Sequence, residues 1–175
     1  MKEIITPSIT RLHDLLDYDA RKFTNAEIQL KNSLPGWINT ANSVKLKEVL
    51  LKYMDYVDEH IEKLDDFFIA EEINSLSTKN RVMHALIEEI GEKLNNCTDK
   101  EVKDACLLAG IQEINHFKIS SYGTAAAFAK TLNMEKAADI FHGAEVNEKQ
   151  IDERLSQLAK FEVNKKARSP ISLPE

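Results

Sequence analysis

The segment KEVKDACLLAGIQEINHFKISSYGTAAAFAKTL, Lys100 to Leu132, contains no proline. Val102, Cys106, Ala109 and Gly123 recur on it at helical spacing, which predicts a single helix of unusual length. Midway along, that stripe turns polar at Glu113, His116 and Ser120. Burying such groups costs about 1–3 kcal/mol each unless something satisfies them. A bundle helix therefore keeps polar residues there for a ligand, for a partner's hydrogen bonds, or by inheritance.

Four more helices are legible around it. Thr6-Pro7 has the form of an N-cap followed by proline at the first helical position. From there Leu12, Leu15, Leu16, Phe23, Ile28, Leu30 and Leu34 carry a first helix to Pro35-Gly36. Trp37 then either opens a new turn or continues past a kink. After Asn42-Ser43 a second helix runs through Leu46, Leu50, Tyr53, Val57, His60, Leu64 and Phe67. Residues Asn74 to Asn80 read as polar loop, and a shorter helix follows through Val82, Leu86, Ile90 and Leu94. Thr98 with Glu101 three residues on predicts a capping box at the start of the long helix. Asn133 is expected to cap the last helix, whose stripe is Ala137, Phe141, Ala144, Glu148, Ile151, Leu155 and Leu158. Strand alternation occurs nowhere. Helices of roughly 30 residues reach about 45 Å, and a short third helix suits a crossover between two hairpins. The expected architecture is all-α: an antiparallel four-helix bundle with one additional shorter helix. Residues 1–168 are expected to form one domain and 169–175 a disordered tail.

Composition narrows the function classes. Five glycines and four prolines in 175 residues favour long helices over many turns. A formal charge of −6 and a pI near 5.5 argue against nucleic acid or an anionic membrane as partner. No stretch approaches the ~20 apolar residues of a membrane span. The N-terminus lacks the apolar core of a secretion signal. Cys97 and Cys106 fit neither metal-knuckle nor redox-motif spacing, nor a disulfide framework, so a reduced cytoplasm is the expected location. There is no glycine-rich phosphate loop or nucleophile elbow.

One polar group per helix falls near mid-height: Glu27 on the first, Tyr53, Tyr56 and His60 on the second, Glu113 and His116 on the long one, Glu148 on the last. Carboxylate di-iron bundles are built this way, with Glu-x-x-His pairs facing inward. Glu113-x-x-His116 has that spacing, and His142-x-x-Glu145 has it reversed. Acidic helical proteins also produce such pairs by chance, so a surface or satisfied core pair is the simpler reading of each. Lone helical histidines such as His60 and His84 are usually packed or solvated, and Tyr53 and Tyr56 read as core fillers with bonded hydroxyls.

Particular motifs add a resemblance. Ala26-Glu27-Ile28-Gln29-Leu30, the run Glu101 to Ala105, Asn115-His116-Phe117-Lys118-Ile119, Ser121-Tyr122-Gly123-Thr124, and Glu148-Lys149 through Ala167 resemble the YciE/YciF family of bacterial stress-associated ferritin-like proteins. The likeness spans Ala26 to Ala167 and is thinnest between Ile73 and Thr98. It implies a ferritin-like bundle, stress association and a homodimer; it implies no defined reaction.

The departures from that family carry as much weight as the matches. Where the resemblance implies glutamates forming a di-metal seat, this chain keeps Glu27 but has Tyr56-Val57 on the second helix, Asn115 and Lys118 on the long one, and Gly143-Ala144, Val146 and Asn147 on the last. Each replacement removes an anionic ligand, and Lys118 adds a positive charge. The expected degenerate seat is thus Glu27, Tyr56, Asn115, Gly143, Val146 and Asn147, with no cofactor and no catalytic residues. On this reading the chain is a non-catalytic structural or interaction protein. The alternative is a relocated metal site, for iron or manganese, at Glu27, His60, Glu113, His116 and Glu148. Helix phase opposes it, because Glu113 lies about 200° from Asn115. A third reading, a lipid or small-molecule binder, rests only on small residues such as Gly110, Gly123 and Gly143.

Overall fold

The computed structural model describes residues 8–73 and 78–168. Regular structure among them is entirely helical: α1 (Leu12–Thr40), α2 (Val44–Ala70), α3 (Arg81–Asn96), α4 (Lys100–Thr131) and α5 (Glu135–Leu158). A π-helical turn, Ala159–Val163, and a last short helix, α6 (Asn164–Arg168), complete it. Thr6-Pro7, residues 74–77 and the segment 169–175 lie outside the described residues.

Helices α1, α2, α5 and α4 close a ring in which α1 packs on α2 and α4, and α5 packs on the same two. Ring neighbours run antiparallel. The α1–α2 loop is held by Asp104 near the start of α4, and Lys45 at the start of α2 reaches Glu162 beyond the end of α5. The α2–α4 link therefore has to travel the length of the bundle, and α3 does so on the outside, against α1 and α4. Its contact with α4 is close: a Cβ on Gly110 would lie 2.4 Å from Ile90 Cγ1.

Several ends differ from expectation for identifiable reasons. Among the described residues α1 begins only at Leu12, and the Asp14 carboxylate accepts the backbone N–H of Thr10 and Arg11. Pro35 does not end α1, which continues to Thr40; Lys31 and Pro35 both face solvent, and buried Trp37 anchors the final turn to the core. The cap of α4 is Asp99 rather than Thr98, its carboxylate accepting from both Glu101 N and Val102 N at 2.9 Å. Asn133 terminates α4 instead of capping α5. It adopts φ 56°, so that Met134 N–H reaches Ala129 O and Asn133 N–H reaches Lys130 O, a Schellman closure that asparagine tolerates.

The largest correction concerns which face of α4 is buried. Ala109, Glu113, His116 and Ser120 point to solvent, and the inward stripe is Asp104, Leu107, Ile111, Asn115, Lys118, Tyr122, Ala125 and Ala129. The stripe read from the sequence is the outer one. Small residues such as Ala109 are poor markers of phase, whereas Leu107, Ile111 and Ile114 mark it correctly.

The core has two parts. Around the α1–α2 loop it is aliphatic, built from Leu34, Leu50, Leu107, Ile111, Ile151 and Leu155 among others. Toward the other end it is aromatic, with Phe23, Phe67, Phe68 and Phe141 packed edge-to-face and alanines of α4 and α5 making room for the rings. Between the two lies a layer of buried charge.

Candidate functional site

That layer takes one or more residues from each helix of the ring. Glu27 comes from α1, Tyr53 and His60 from α2, Asn115, Lys118 and Tyr122 from α4, and Glu148 from α5. Positions 53 and 60, and 115, 118 and 122, are spaced by three, four or seven residues, so each set shares one helical face. All seven side chains are at most 3 % exposed.

Lys118 is at the centre. Its Nζ lies 2.9 Å from Glu27 Oε2 and 2.5 Å from Glu148 Oε1, and 4.8 Å from the centre of the Tyr53 ring. Neither contact is well aligned as a hydrogen bond, so the attraction is chiefly that of ion pairs. The remaining carboxylate oxygens take directed donors. Tyr53 OH donates to Glu148 Oε2 at 2.6 Å and Asn115 Nδ2 donates to the same oxygen at 2.5 Å, while Tyr122 OH donates to Glu27 Oε1. His60 Nδ1 is 3.2 Å from Glu27 Oε1 and 3.6 Å from Glu148 Oε1. Its Nε2 faces Asn147 Nδ2 at 3.3 Å. The carboxylates thus face Nδ1 and the Asn147 amide faces Nε2.

Burial and charge oppose each other here, and the winner differs by residue. Burial alone would raise the Glu27 carboxyl, but the Lys118 ammonium, His60 and the Tyr122 hydroxyl together bring it down to about 2. At Glu148 burial prevails, reinforced by the Glu27 charge, and its pKa is raised despite Lys118. Burial works against the Lys118 ammonium, yet two carboxylates outweigh it and raise its pKa. Tyr53 and Tyr122 are pushed well above the ordinary phenol range by burial and then by the adjacent carboxylates, so both remain donors. Chemically the layer is a cation clamped by two carboxylates, with every hydroxyl protonated.

Of the residues singled out from the sequence, Glu27, His60, Asn115 and Glu148 meet in this layer. Three of them, Glu27, His60 and Glu148, have ligand-type atoms within 4.8 Å of one another. Asn147 is half-buried at its edge, bonded to His60. Tyr56 points elsewhere, donating to Gln150 Oε1 at 2.7 Å; its place is taken by Tyr53, one turn earlier. Gly143 and Val146 are on the exposed side of α5. Gly143 borders a cavity of about 280 Å³ that reaches His60, Tyr122 and Asn147. Glu113 and His116 are not part of the layer: His116 pairs with Asp152 at 3.0 Å and Glu113 with Lys93 at 3.7 Å, all at the surface. His142 and Glu145 likewise pair outside, at 3.3 Å. Tyr53 is the core filler with a bonded hydroxyl that the sequence suggests. Sequence reasoning missed the central role of Lys118 and the part of Tyr122, both of which the spacing 115, 118, 122 reveals once Leu107 and Ile111 set the phase.

Comparison with known proteins bears on the family and the fold. Residues 11–168 match the family described as Domain of unknown function (DUF892). The chain belongs to that family. Protein YciF of Escherichia coli K12 is 34 % identical over 146 residues, covering 82 % of this chain and 87 % of YciF. The crystal structure of the E. coli stress protein YciF superposes with a TM-score of 0.84 at 30 % identity, covering 90 % of this chain and 99 % of that one. YcfI of Rhodopseudomonas palustris, a proposed structural protein, gives 0.84 at 27 % identity over 87 % of this chain and 98 % of that one. A two-domain Anabaena variabilis protein with DJ-1/ThiJ/PfpI-like and ferritin-like domains gives 0.57 at 15 % identity, over 95 % of this chain and 40 % of that one, a likeness of fold alone. The bundle is therefore ferritin-like and YciF-like. Among the described residues no helix is long and apolar enough to cross a membrane.

Proposed function

We propose that this chain is a non-catalytic member of the YciF-like proteins, a structural or interaction protein whose mid-bundle cation seat is filled by its own lysine. The observation that carries this is the Lys118 ammonium held between Glu27 and Glu148. A di-metal seat needs several anionic oxygens to offset two cations and their desolvation. This layer offers two carboxylates and one imidazole; the ammonium already offsets one of the two negative charges, and one oxygen of each carboxylate already accepts from phenol or amide donors. Two metal ions do not fit that donor set. The lysine instead does what a bound cation would do for the fold: it lets four helices bury two acids at one level. Stress association, carried over from the E. coli stress protein YciF, is part of this proposal, as is the homodimer expected from the sequence resemblance.

One observation favours a second reading. Glu27, His60 and Glu148 could hold a single ion such as iron or manganese. That requires Lys118 to withdraw or lose its proton, which the two flanking carboxylates oppose. Elemental analysis of protein purified after growth with added iron, manganese and zinc separates the two. The expected metal content is far below one ion per chain. A stoichiometric ion would overturn the lysine-filled reading in favour of the second. Lys118→Ala is the companion variant: its gain of metal would identify the ammonium as the excluding group.

A further inference from the structure

A cleft of about 590 Å³ opens where α3 begins against α1 and α4. It shares no residue with the charged layer, so it is independent of how that layer is read. Its size falls among sites for small organic ligands, which run from about 300 to 1,000 Å³. The walls differ in kind. Lys22 of α1 and Lys79 and Arg81 at the start of α3 bring three cations, whereas α4 brings the hydroxyls of Ser120, Ser121 and Thr124. Phe23 and Phe117 add apolar surface, and Asp19 is the one acid among the described lining residues.

That charge balance inverts the chain's own, which is −6. Lysines elsewhere are met by acids, as Lys31 is by Asp58 at 2.6 Å and Lys45 by Glu162 at 2.7 Å. Among the described residues no acid is in ion-pair contact with Lys22, Lys79 or Arg81; Lys22 lies instead over the Tyr18 ring at 4.3 Å. Like charges repel, yet the segment that carries Lys79 and Arg81 is pinned to α1. Thr78 N–H donates to Arg21 O at 3.3 Å, and Asn80 N–H to Asn25 Oδ1 at 2.8 Å. The Asn80 side chain, 5 % exposed, donates to Lys22 O at 3.3 Å, and Gln29 Nε2 donates to Asn80 O at 3.1 Å. Four hydrogen bonds thus hold three unpaired cations around one cleft.

We propose that this cleft binds a phosphate monoester on a polyhydroxylated carbon skeleton, the chemistry shared by sugar phosphates and mononucleotides. The cationic wall takes the phosphate: the Arg81 guanidinium offers a fork of donors to two of its oxygens, and Lys22 and Lys79 add point charges. The α4 wall takes the skeleton. Ser121 is already committed to Phe117 O at 2.8 Å, whereas the Ser120 and Thr124 hydroxyls make no hydrogen bond within the described residues and face ligand hydroxyls. Asp19 accepts from a ligand O–H, which gives the single acid a part in a site for an anion.

The test titrates the full protein with glucose 6-phosphate, adenosine monophosphate, inorganic phosphate and glucose, following backbone amides in the nitrogen–proton spectrum. At millimolar concentration at least one ester should shift the amides of 18–23, 78–82 and 117–124 saturably. It should bind about tenfold or more tighter than inorganic phosphate or glucose, since each of those meets one wall only. Binding of one ester alone assigns the source, sugar phosphate or nucleotide. Lys22→Gln/Lys79→Gln/Arg81→Gln keeps Asn80 and its hydrogen bonds and should abolish binding. Lys136→Gln/Lys160→Gln/Lys165→Gln, exposed positions outside the cleft with the same change of charge, should bind as wild type does. Silence of those amides with both esters, shifts that map elsewhere, inorganic phosphate binding as tightly as the esters, or binding kept by the first triple variant would each overturn the proposal. The comparison of esters with phosphate stands on the unmodified protein, whatever the variants do to folding.

Discussion

Two sets of acid and imidazole groups sit at similar height on opposite sides of α4. Inside are Glu27, His60 and Glu148, gathered around Lys118; outside are Glu113, His116 and Asp152. The residue types are nearly the same and the environments are not. His116 is 65 % exposed and its pair with Asp152 lies in water, where such contacts contribute little. The inner carboxylates are wholly buried, so each depends on the others' charge and donors for its own ionisation. Burial converts an ordinary set of pairs into one interdependent unit. Helical phase alone decides which set is buried.

Breaking the inner set at its centre should have the largest effect. Lys118→Met removes the cation with little change of volume and leaves two carboxylates facing each other. It should cost about 3–5 kcal/mol in chemical denaturation at pH 7. The loss should shrink at lower pH, as the carboxyls take up protons in place of the lysine. Replacing the whole ionic group together, in Glu27→Leu/Lys118→Met/Glu148→Leu, should recover most of that stability, since a packed apolar layer has no charge to compensate. Failure to recover would mean that the layer specifies the packing of the ring and is more than a tolerated burial.

Acid should be the next strongest perturbant. With the Glu27 carboxyl at about 2 in the folded state and near 4.5 unfolded, the unfolded chain binds the extra proton between those values. The Glu27 contribution, roughly 3 kcal/mol, is therefore present above about pH 4.5 and lost as pH falls toward 2. Glu148, held above its usual range, acts in the opposite sense: its contribution is present at low pH and lost as pH rises through its folded-state value. A Glu27→Gln variant should accordingly show a shallower acid limb than wild type when melting is followed against pH. Tyr122→Phe and Tyr53→Phe each remove one donor to a buried carboxylate and should cost about 1.5–3 kcal/mol. His116→Ala, in the outer set, should change stability by no more than about 0.5 kcal/mol. An outer variant as costly as an inner one would erase the distinction drawn between them.

The bundle was legible from the sequence because its signals are long and redundant. Stripes such as Leu46, Leu50, Tyr53, Val57 and His60 repeat over many turns, and scarce glycine and proline leave few places to stop. The helix ends were less so, because Asp99 and Thr98 both make sound caps, and Asn133 can start one helix or end another. The site was half legible. Glu27, His60 and Glu148 each interrupt an apolar stripe, and an interrupted stripe is visible in one dimension. Lys118 was seen as a charge added to the seat, but not as its occupant. That requires knowing that its long side chain reaches the same point as acids from two other helices, a three-dimensional coincidence.

The most direct test of the lysine-filled seat is to observe the Lys118 ammonium itself. Side-chain ammonium protons on exposed lysines exchange rapidly with water, whereas those of a buried, ion-paired one persist. A nitrogen–proton spectrum of the folded protein at pH 7 should therefore contain a persistent ammonium signal that is lost in Lys118→Met and unmoved by one equivalent of zinc. The absence of that signal, or its displacement by zinc, would contradict a seat closed by lysine.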